Sequence, residues 1–102
     1  MKIEHLNEKD FKQKTEKGLV VVDFFATWCG PCQILGPIME NVADELENIN
    51  IFKVDVDENE KTAREFGVMS IPTIVILKDG LEIDRHVGLM NKNSLIDWIK
   101  SH

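Results

Sequence analysis

Residues 22–32 read Val-Asp-Phe-Phe-Ala-Thr-Trp-Cys-Gly-Pro-Cys. They follow a nearly continuous β-favouring run over 19–26, which is typical of a strand covered on both faces. Pro31 suits the first position of a helix, where its missing N–H is not needed. Apolar residues then recur every three or four positions to Glu47, which predicts a helix that Gly36-Pro37 should kink. Cys29 and Cys32 are therefore expected where a buried strand turns into a long helix.

Further strands and helices are predicted on both sides of this junction. Two β-favouring runs near the carboxyl end are joined at Asp79-Gly80, a strong hairpin signal. Asn7, with Asp10 three residues later, and Asn91 are predicted helix caps. The remaining predicted elements are a strand over 2–5, a helix to about Lys17, a strand over 51–56, a helix over 59–66, strands over 73–78 and 81–87, and a last helix after Asn91.

The order of these elements, β-α-β-α-β-α-β-β-α, indicates an α/β protein. Strands that alternate with helices pair in parallel through crossover connections, and a hairpin adds an antiparallel edge. We therefore expect a central mixed five-stranded sheet flanked by four helices. The chain has 102 residues without repeats or a linker, so 1–102 is expected to be a single domain.

Composition argues against several classes of protein. The 12 basic and 18 acidic residues give a net charge of −6 without a basic cluster, so no nucleic-acid partner is expected. Apolar runs are far shorter than the ~20 residues that cross a bilayer, and residues 1–10 are largely polar, unlike a signal peptide. We expect a small soluble cytoplasmic protein with no membrane partner.

Cys29 and Cys32 are the two cysteines of the chain, and three interpretations of the pair are open. A structural disulfide would close a four-residue loop, worth about 1.9 kcal/mol in the chain-entropy treatment against about 4.7 kcal/mol for a hundred-residue loop. A closed zinc site needs four ligands, and the three histidines are scattered. Redox exchange is favoured, because a helix N-terminus stabilises a thiolate and a second thiol three residues on can attack a mixed disulfide.

The chain resembles the thioredoxin family along essentially its whole length. Trp28-Cys29-Gly30-Pro31-Cys32 is similar to the active-site motif of the family, and residues 22–26 are similar to the strand before it. Ile71-Pro72-Thr73 resembles the cis-proline loop, and Gly80 and Gly88 fall where the family has glycines. Thioredoxins are themselves the usual example of a Cys-x-x-Cys redox pair with a lowered cysteine pKa.

The resemblance implies roles for residues in and near the motif. Cys29 is the implied exposed nucleophile, Cys32 the buried resolving thiol, and Asp23 the buried acid that accepts the proton of Cys32. Without the resemblance, Asp23 could instead lie at a strand end where water reaches it. Lys53, which matches the lysine near the family's acid, could simply extend its side chain to solvent. The residues implied to tune the redox potential are Gly30, Pro31 and Lys53.

The resemblance also implies a shallow groove for target proteins beside the cysteines. The cis form of Pro72 rests on the family match, since only about 5–6% of X–Pro bonds in folded proteins are cis. Phe25 departs from the pattern, because many thioredoxins carry a tryptophan there, and Gln33 stands where Lys or Arg is frequent. The residues implied to line the groove are Trp28, Gly67, Ser70, Ile71, Pro72 and Gly88.

The activity implied by the resemblance is reduction of protein disulfides by dithiol–disulfide exchange. No bound cofactor or metal is expected, and a thioredoxin reductase would recharge the disulfide. The other expected partners are disulfide-containing target proteins, bound by a monomer. A secretory oxidant or isomerase of this fold is disfavoured, because those relatives tend to carry His in place of Pro31. A non-catalytic binding subunit stays open as an alternative.

Overall fold

Residues 3–102, which the computed structural model describes, fold into five strands and four helices. The strands are β1 (Glu4–His5), β2 (Leu19–Phe25), β3 (Asn50–Asp55), β4 (Thr73–Lys78) and β5 (Leu81–Val87). The helices are α1 (Phe11–Thr15), α2 (Gly30–Glu45), α3 (Glu60–Glu65) and α4 (Lys92–Lys100). The predicted order of elements is confirmed.

Strand β2 lies at the centre of one mixed sheet with the order β1-β3-β2-β4-β5. Strands β1 and β2 run parallel to β3, whereas β4 runs antiparallel to both β2 and β5. This register sets Asp23 of β2 opposite Lys53 of β3 on one side and Ile74 of β4 on the other. The predicted mixed five-stranded sheet is therefore confirmed, with its most buried strand leading into the cysteine motif.

Alternate side chains of the central strands build two cores, one on each face of the sheet. Val21 packs with residues of α2 and α4, while Val20 and Val22 pack on the other face near Phe11 of α1. Asp23 and Phe25 follow Val21 at two-residue steps, so they point to the face that α2 covers. Helix α2 thus covers the face of the sheet to which Asp23 points.

Several local predictions are confirmed at residue level. Strands β4 and β5 have the predicted bounds, and both turn residues between them have positive φ, 51° at Asp79 and 86° at Gly80. A two-residue hairpin turn that matches strand twist requires this conformation. Asn91 caps α4, because its side chain accepts a hydrogen bond from the backbone N–H of Ser94 at 2.9 Å.

The largest differences from the predicted helix bounds are in α1 and α2. Asn7 and Asp10 exchange the expected capping bonds, yet α1 begins only at Phe11 and ends at Thr15 rather than near residue 17. Helix α2 continues through Pro37 and ends at Glu45, because Leu46 already has extended backbone, φ −101° and ψ 118°. Leu46 is nonetheless buried, so the apolar period outlasts the helix. Part of the first predicted strand, residue 2, lies outside the described residues.

Candidate active site

Cys29 and Cys32 lie at the junction of β2 and α2 and are joined as a disulfide, with their Cα atoms 5.2 Å apart. Cys29 is the cap residue of α2, and its Sγ accepts the backbone N–H of Cys32 at 3.2 Å. Pro31 lies in the first turn of the helix, one position later than predicted, because α2 begins at Gly30. A sulfur at this position faces the positive end of the helix dipole, which favours thiolate over thiol once the pair is reduced.

The predicted difference in exposure between the two cysteines is wrong for the oxidised pair. Each cysteine is 5% exposed, because both pack in one cluster with Phe25 and Ala26, and Ile71 covers that cluster. What separates the two sulfurs is hydrogen bonding. The N–H of the first helical turn points at Cys29, which marks it as the better stabilised thiolate.

The loop before β4 packs against the cysteine cluster through Ile71. The Ile71–Pro72 bond is cis, as the family resemblance implied. The Ile71 carbonyl oxygen lies 3.8 Å from Cys29 Sγ, and the Pro72 carbonyl accepts the N–H of Gly88 at 2.8 Å. The structure therefore brings the cysteines, this loop and the end of β5 together.

Two other residues predicted to line the groove lie in the segment between α3 and the cis-proline bond. Ser70 is exposed in the same loop, beside Met69, whose side chain is 96% exposed. Gly67 has φ 62° just after α3, and its N–H bonds the carbonyl of Arg64. Gly67 thus has a local reason to be glycine, because it ends a helix in the left-handed region.

Asp23 is buried behind the motif, as predicted, and not at a wet strand end. It is 1% exposed, and its Oδ1 has no hydrogen-bond partner within residues 3–102. Burial raises the pKa of Asp23 from the ordinary 3.8 to about 6, and the charge of Lys53 lowers it in part. A carboxyl with such a pKa can exchange a proton near neutral pH.

Lys53 lies beside this carboxyl in the sheet, and its ammonium is in contact with groups that the sequence did not indicate. Its Nζ lies 4.6 Å from the centroid of the Phe25 ring. A Cβ added to Gly36 would lie 3.6 Å from the same atom. A surface cavity of about 460 Å³ opens here. Its lining residues are Gly36, Pro37, Glu40, Asn41 and Lys53.

Trp28 stands out from the surface beside the cysteines, with 68% of its side chain exposed. Its indole Nε1 donates to Asp57 Oδ2 at 2.6 Å, which fixes the ring although it is exposed. Asp57 is not among the residues predicted from the sequence. A usable signal was present, since β2 and β3 are parallel and residues that follow their carboxyl ends meet at one edge of the sheet.

Two further features concern metal binding and membrane insertion within residues 3–102. No group of three or more His, Cys, Asp or Glu side chains is arranged to hold a metal ion. In the same range no helix has the length and apolar character needed to cross a membrane.

A family model, curated relatives and solved structures that match this chain are described as thioredoxins. The family model described as Thioredoxin matches residues 2–101. Thioredoxin of Chlamydia trachomatis is 44% identical over 100 residues, covering 98% of each chain, and that of Staphylococcus aureus is 44% identical over 103 residues, covering 100% of this chain and 99% of its own. A mutant thioredoxin from Halobacterium salinarum has a TM-score of 0.90 at 34% identity, covering 98% of this chain and 89% of its own. The thioredoxin of Malassezia sympodialis has a TM-score of 0.88 at 38% identity, covering 98% and 90%.

Proposed function

This chain belongs to the thioredoxin family, and we propose that its Cys29–Cys32 disulfide carries out the reduction of disulfides in other proteins. The chain is a dithiol–disulfide oxidoreductase. The observation that carries the proposal is the position of the disulfide at the first turn of α2, where a backbone N–H points at Cys29 Sγ. A purely binding role is not favoured, since both redox cysteines are present and joined.

The reaction runs in two exchanges once the pair is reduced. The Cys29 thiolate attacks one sulfur of the target disulfide, forms a mixed disulfide and releases the first target thiolate. The Cys32 thiolate then attacks Cys29 Sγ and releases the second target thiolate. Two electrons pass to the target, and the enzyme is left with the Cys29–Cys32 disulfide.

Asp23 is proposed as the proton acceptor for Cys32. The second exchange needs Cys32 as thiolate, but this cysteine is buried, and burial disfavours a charged sulfur. A carboxylate with a pKa of about 6 is mostly ionised at pH 7 and can take the proton. Lys53 is proposed to keep that carboxylate from becoming too basic, since it opposes the effect of burial.

Target proteins are proposed to bind over the exposed ring of Trp28 and the loop of Ile71 and Pro72. Supporting this, the Ile71 carbonyl lies next to Cys29 Sγ, where an extended target segment could pair with it as an added strand. The other residues proposed to line the groove are Gly67, Ser70 and Gly88, and those proposed to tune the redox potential are Gly30 and Pro31.

We also propose an electron source, an oligomeric state and a compartment for this protein. A thioredoxin reductase returns two electrons to the disulfide, and no bound cofactor takes part. The chain acts as a single domain and as a monomer, and it works in the cytoplasm, where cellular systems keep thiols reduced.

Turnover of insulin disulfides, with a thioredoxin reductase as electron source, tests the activity. The protein should accelerate insulin reduction, and Cys29→Ser should lower the rate to the background without protein, because the attacking sulfur is gone. Asn93→Ala, an exposed change on α4, is the matched control and should keep the full rate. A Cys29→Ser variant with normal turnover would overturn the proposal.

A further inference from the structure

Phe25 ends β2 beside the disulfide, and its ring has polar neighbours on two sides. The rings of His5 and Phe25 meet edge to face, with centroids 5.5 Å apart and planes at 89°. The Lys53 ammonium lies over the Phe25 ring, 4.6 Å from its centroid. Phe25 is 9% exposed, so its surroundings fix the ring in this orientation.

Lys53 has a carboxyl group beside it in the sheet, yet its ammonium rests on the aromatic ring. Asp23 and Lys53 are register partners in β2 and β3. Asp23 Oδ1 nevertheless has no hydrogen-bond partner among residues 3–102, so Lys53 does not donate to this oxygen. The contact shown for the Lys53 ammonium is instead the face of the Phe25 ring.

Gly36 leaves room for this placement. A side chain at position 36 would begin 3.6 Å from Lys53 Nζ, at ordinary contact distance. The cavity of about 460 Å³ lies on the same side, so the ammonium keeps access to water there. The aromatic face attracts the ammonium, and the long stem of the lysine allows the charge to reach solvent.

The charge of Lys53 lowers the pKa of Asp23 without overcoming the effect of burial. An opposite charge in close contact with a carboxyl lowers its pKa, and the effect weakens as the charges separate. Burial is the larger influence on Asp23 and the charge of Lys53 is the smaller one. The net result is a raised pKa of about 6 despite a cation on the neighbouring strand.

We propose that Phe25 is a positioning residue whose ring face holds the Lys53 ammonium away from Asp23, so that the carboxylate stays basic enough to deprotonate Cys32. The inference rests on the proposed function. The Cys32 S–H gives its proton to the Asp23 carboxylate, and the resulting thiolate attacks Cys29 Sγ of the mixed disulfide. The target sulfur leaves with the electron pair of the broken bond.

Other charged groups border this arrangement, and the experiment must leave them unchanged. Asp55 lies opposite Phe25 in the register of β2 and β3, and Glu40 of α2 lines the cavity with Lys53. The two cysteines do not titrate while they are joined as a disulfide. The groups that face Phe25 or Lys53 from the neighbouring elements are His5, Asp23, Glu40 and Asp55.

A carbon-13 NMR titration of the Asp23 carboxyl in the oxidised protein tests the proposal. In Phe25→Leu the ammonium is released toward Asp23, and the titration midpoint should fall by about one pH unit or more. In a Lys53→Met background the same change at position 25 should leave the midpoint where Lys53→Met alone puts it. A midpoint that stays or rises in Phe25→Leu, or that falls equally without Lys53, overturns the proposal.

Phe25→Trp is the matched variant, and it decides the matter even where Phe25→Leu does not fold. Tryptophan keeps an aromatic face for the ammonium, so the Asp23 midpoint should lie at or above the wild-type value. A fall in Phe25→Trp contradicts the proposal. The rate of the second exchange is a separate readout: if Asp23→Asn resolves mixed disulfides at the wild-type rate, the proton-acceptor role is wrong, while the titration still tests the position of Lys53.

Discussion

Asp23 shows how one buried side chain couples the chemistry of the site to the stability of the fold. Its raised pKa means that the folded protein keeps a proton that the unfolded chain releases between about pH 4 and pH 6. Stability contributed at this position is therefore present at low pH and is lost as pH rises through that window. The raised pKa that supports the proposed role of Asp23 as a base also costs the fold free energy at neutral pH.

We predict that Asp23→Asn is more stable than wild type at neutral pH, by roughly 3 kcal/mol, because no carboxyl must ionise in the core. The difference in free energy of unfolding should be small at pH 4, grow to about pH 7 and stay constant above it. The second exchange should slow by ~10²-fold or less. Denaturant unfolding at pH 4, 6 and 8 measures the stability.

Asp97→Asn serves as the control for this prediction, since Asp97 is exposed on α4. Its free energy of unfolding should follow the wild type at each pH. A wild type that exceeds Asp23→Asn in stability at pH 8, with unchanged turnover, would contradict the account of Asp23.

Two limits of secondary-structure elements that depend on local chemistry were predictable. The hairpin between β4 and β5 is set by Asp79-Gly80, and the start of α4 by the side chain of Asn91. The end of α2 was not predictable, because Leu46 continues the apolar period while its backbone is already extended. Leu46 is buried in the core although it lies outside the helix, and the sequence pattern cannot distinguish such a residue from one more helical position.

A pair of asparagine variants tests the cap of α4. Asn91→Ala should lower the free energy of unfolding by about 1 kcal/mol, because the N–H of Ser94 loses its side-chain acceptor. Asn93→Ala makes the same chemical change within the helix at an exposed position and should be neutral or slightly stabilising. Thermal unfolding measures both, and equal effects of the two substitutions would rule out the capping role of Asn91.

At the scale of the whole molecule, the sheet brings together side chains that are distant in sequence. Cys29 and Cys32 could be recognised from their spacing and their place before a helix. The contacts of Lys53 with Phe25 and of Trp28 with Asp57 could not, because they depend on strand register and on where each side chain turns. Sequence reasoning therefore identified the residues of the site but not the contacts that fix Lys53 and Trp28.

Another long-range contact joins α4 to β5. Trp98 Nε1 donates to Asp84 Oδ2 at 3.0 Å, and His102 Nε2 lies 2.8 Å from the same oxygen. The indole N–H of Trp98, then the backbone N–H of Arg85, hold the pKa of Asp84 below its usual range. The stabilising contribution is therefore present above about pH 4 and is lost as pH falls through the lowered pKa.

We predict that Asp84→Asn is less stable than wild type at pH 7 and that the difference shrinks as pH falls toward 2.5. The N–H donors of Trp98 and Arg85 bind a charged carboxylate more strongly than the neutral amide of asparagine. Denaturant unfolding across this range measures it, with exposed Glu47→Gln as the control. A difference independent of pH would show that the charge of Asp84 contributes nothing.

The proposed exchange requires that Cys29 attacks the target disulfide and that Cys32 resolves the mixed disulfide. Its most direct test is the intact mass of reduced Cys32→Ser after mixing with insulin, followed by mapping of the linked peptide. We predict a lasting adduct joined through Cys29, because serine cannot displace the mixed disulfide. Wild type treated in the same way should instead give free reduced insulin chains and its own disulfide. A Cys32→Ser protein that forms no adduct, or that turns insulin over at the wild-type rate, would contradict the account.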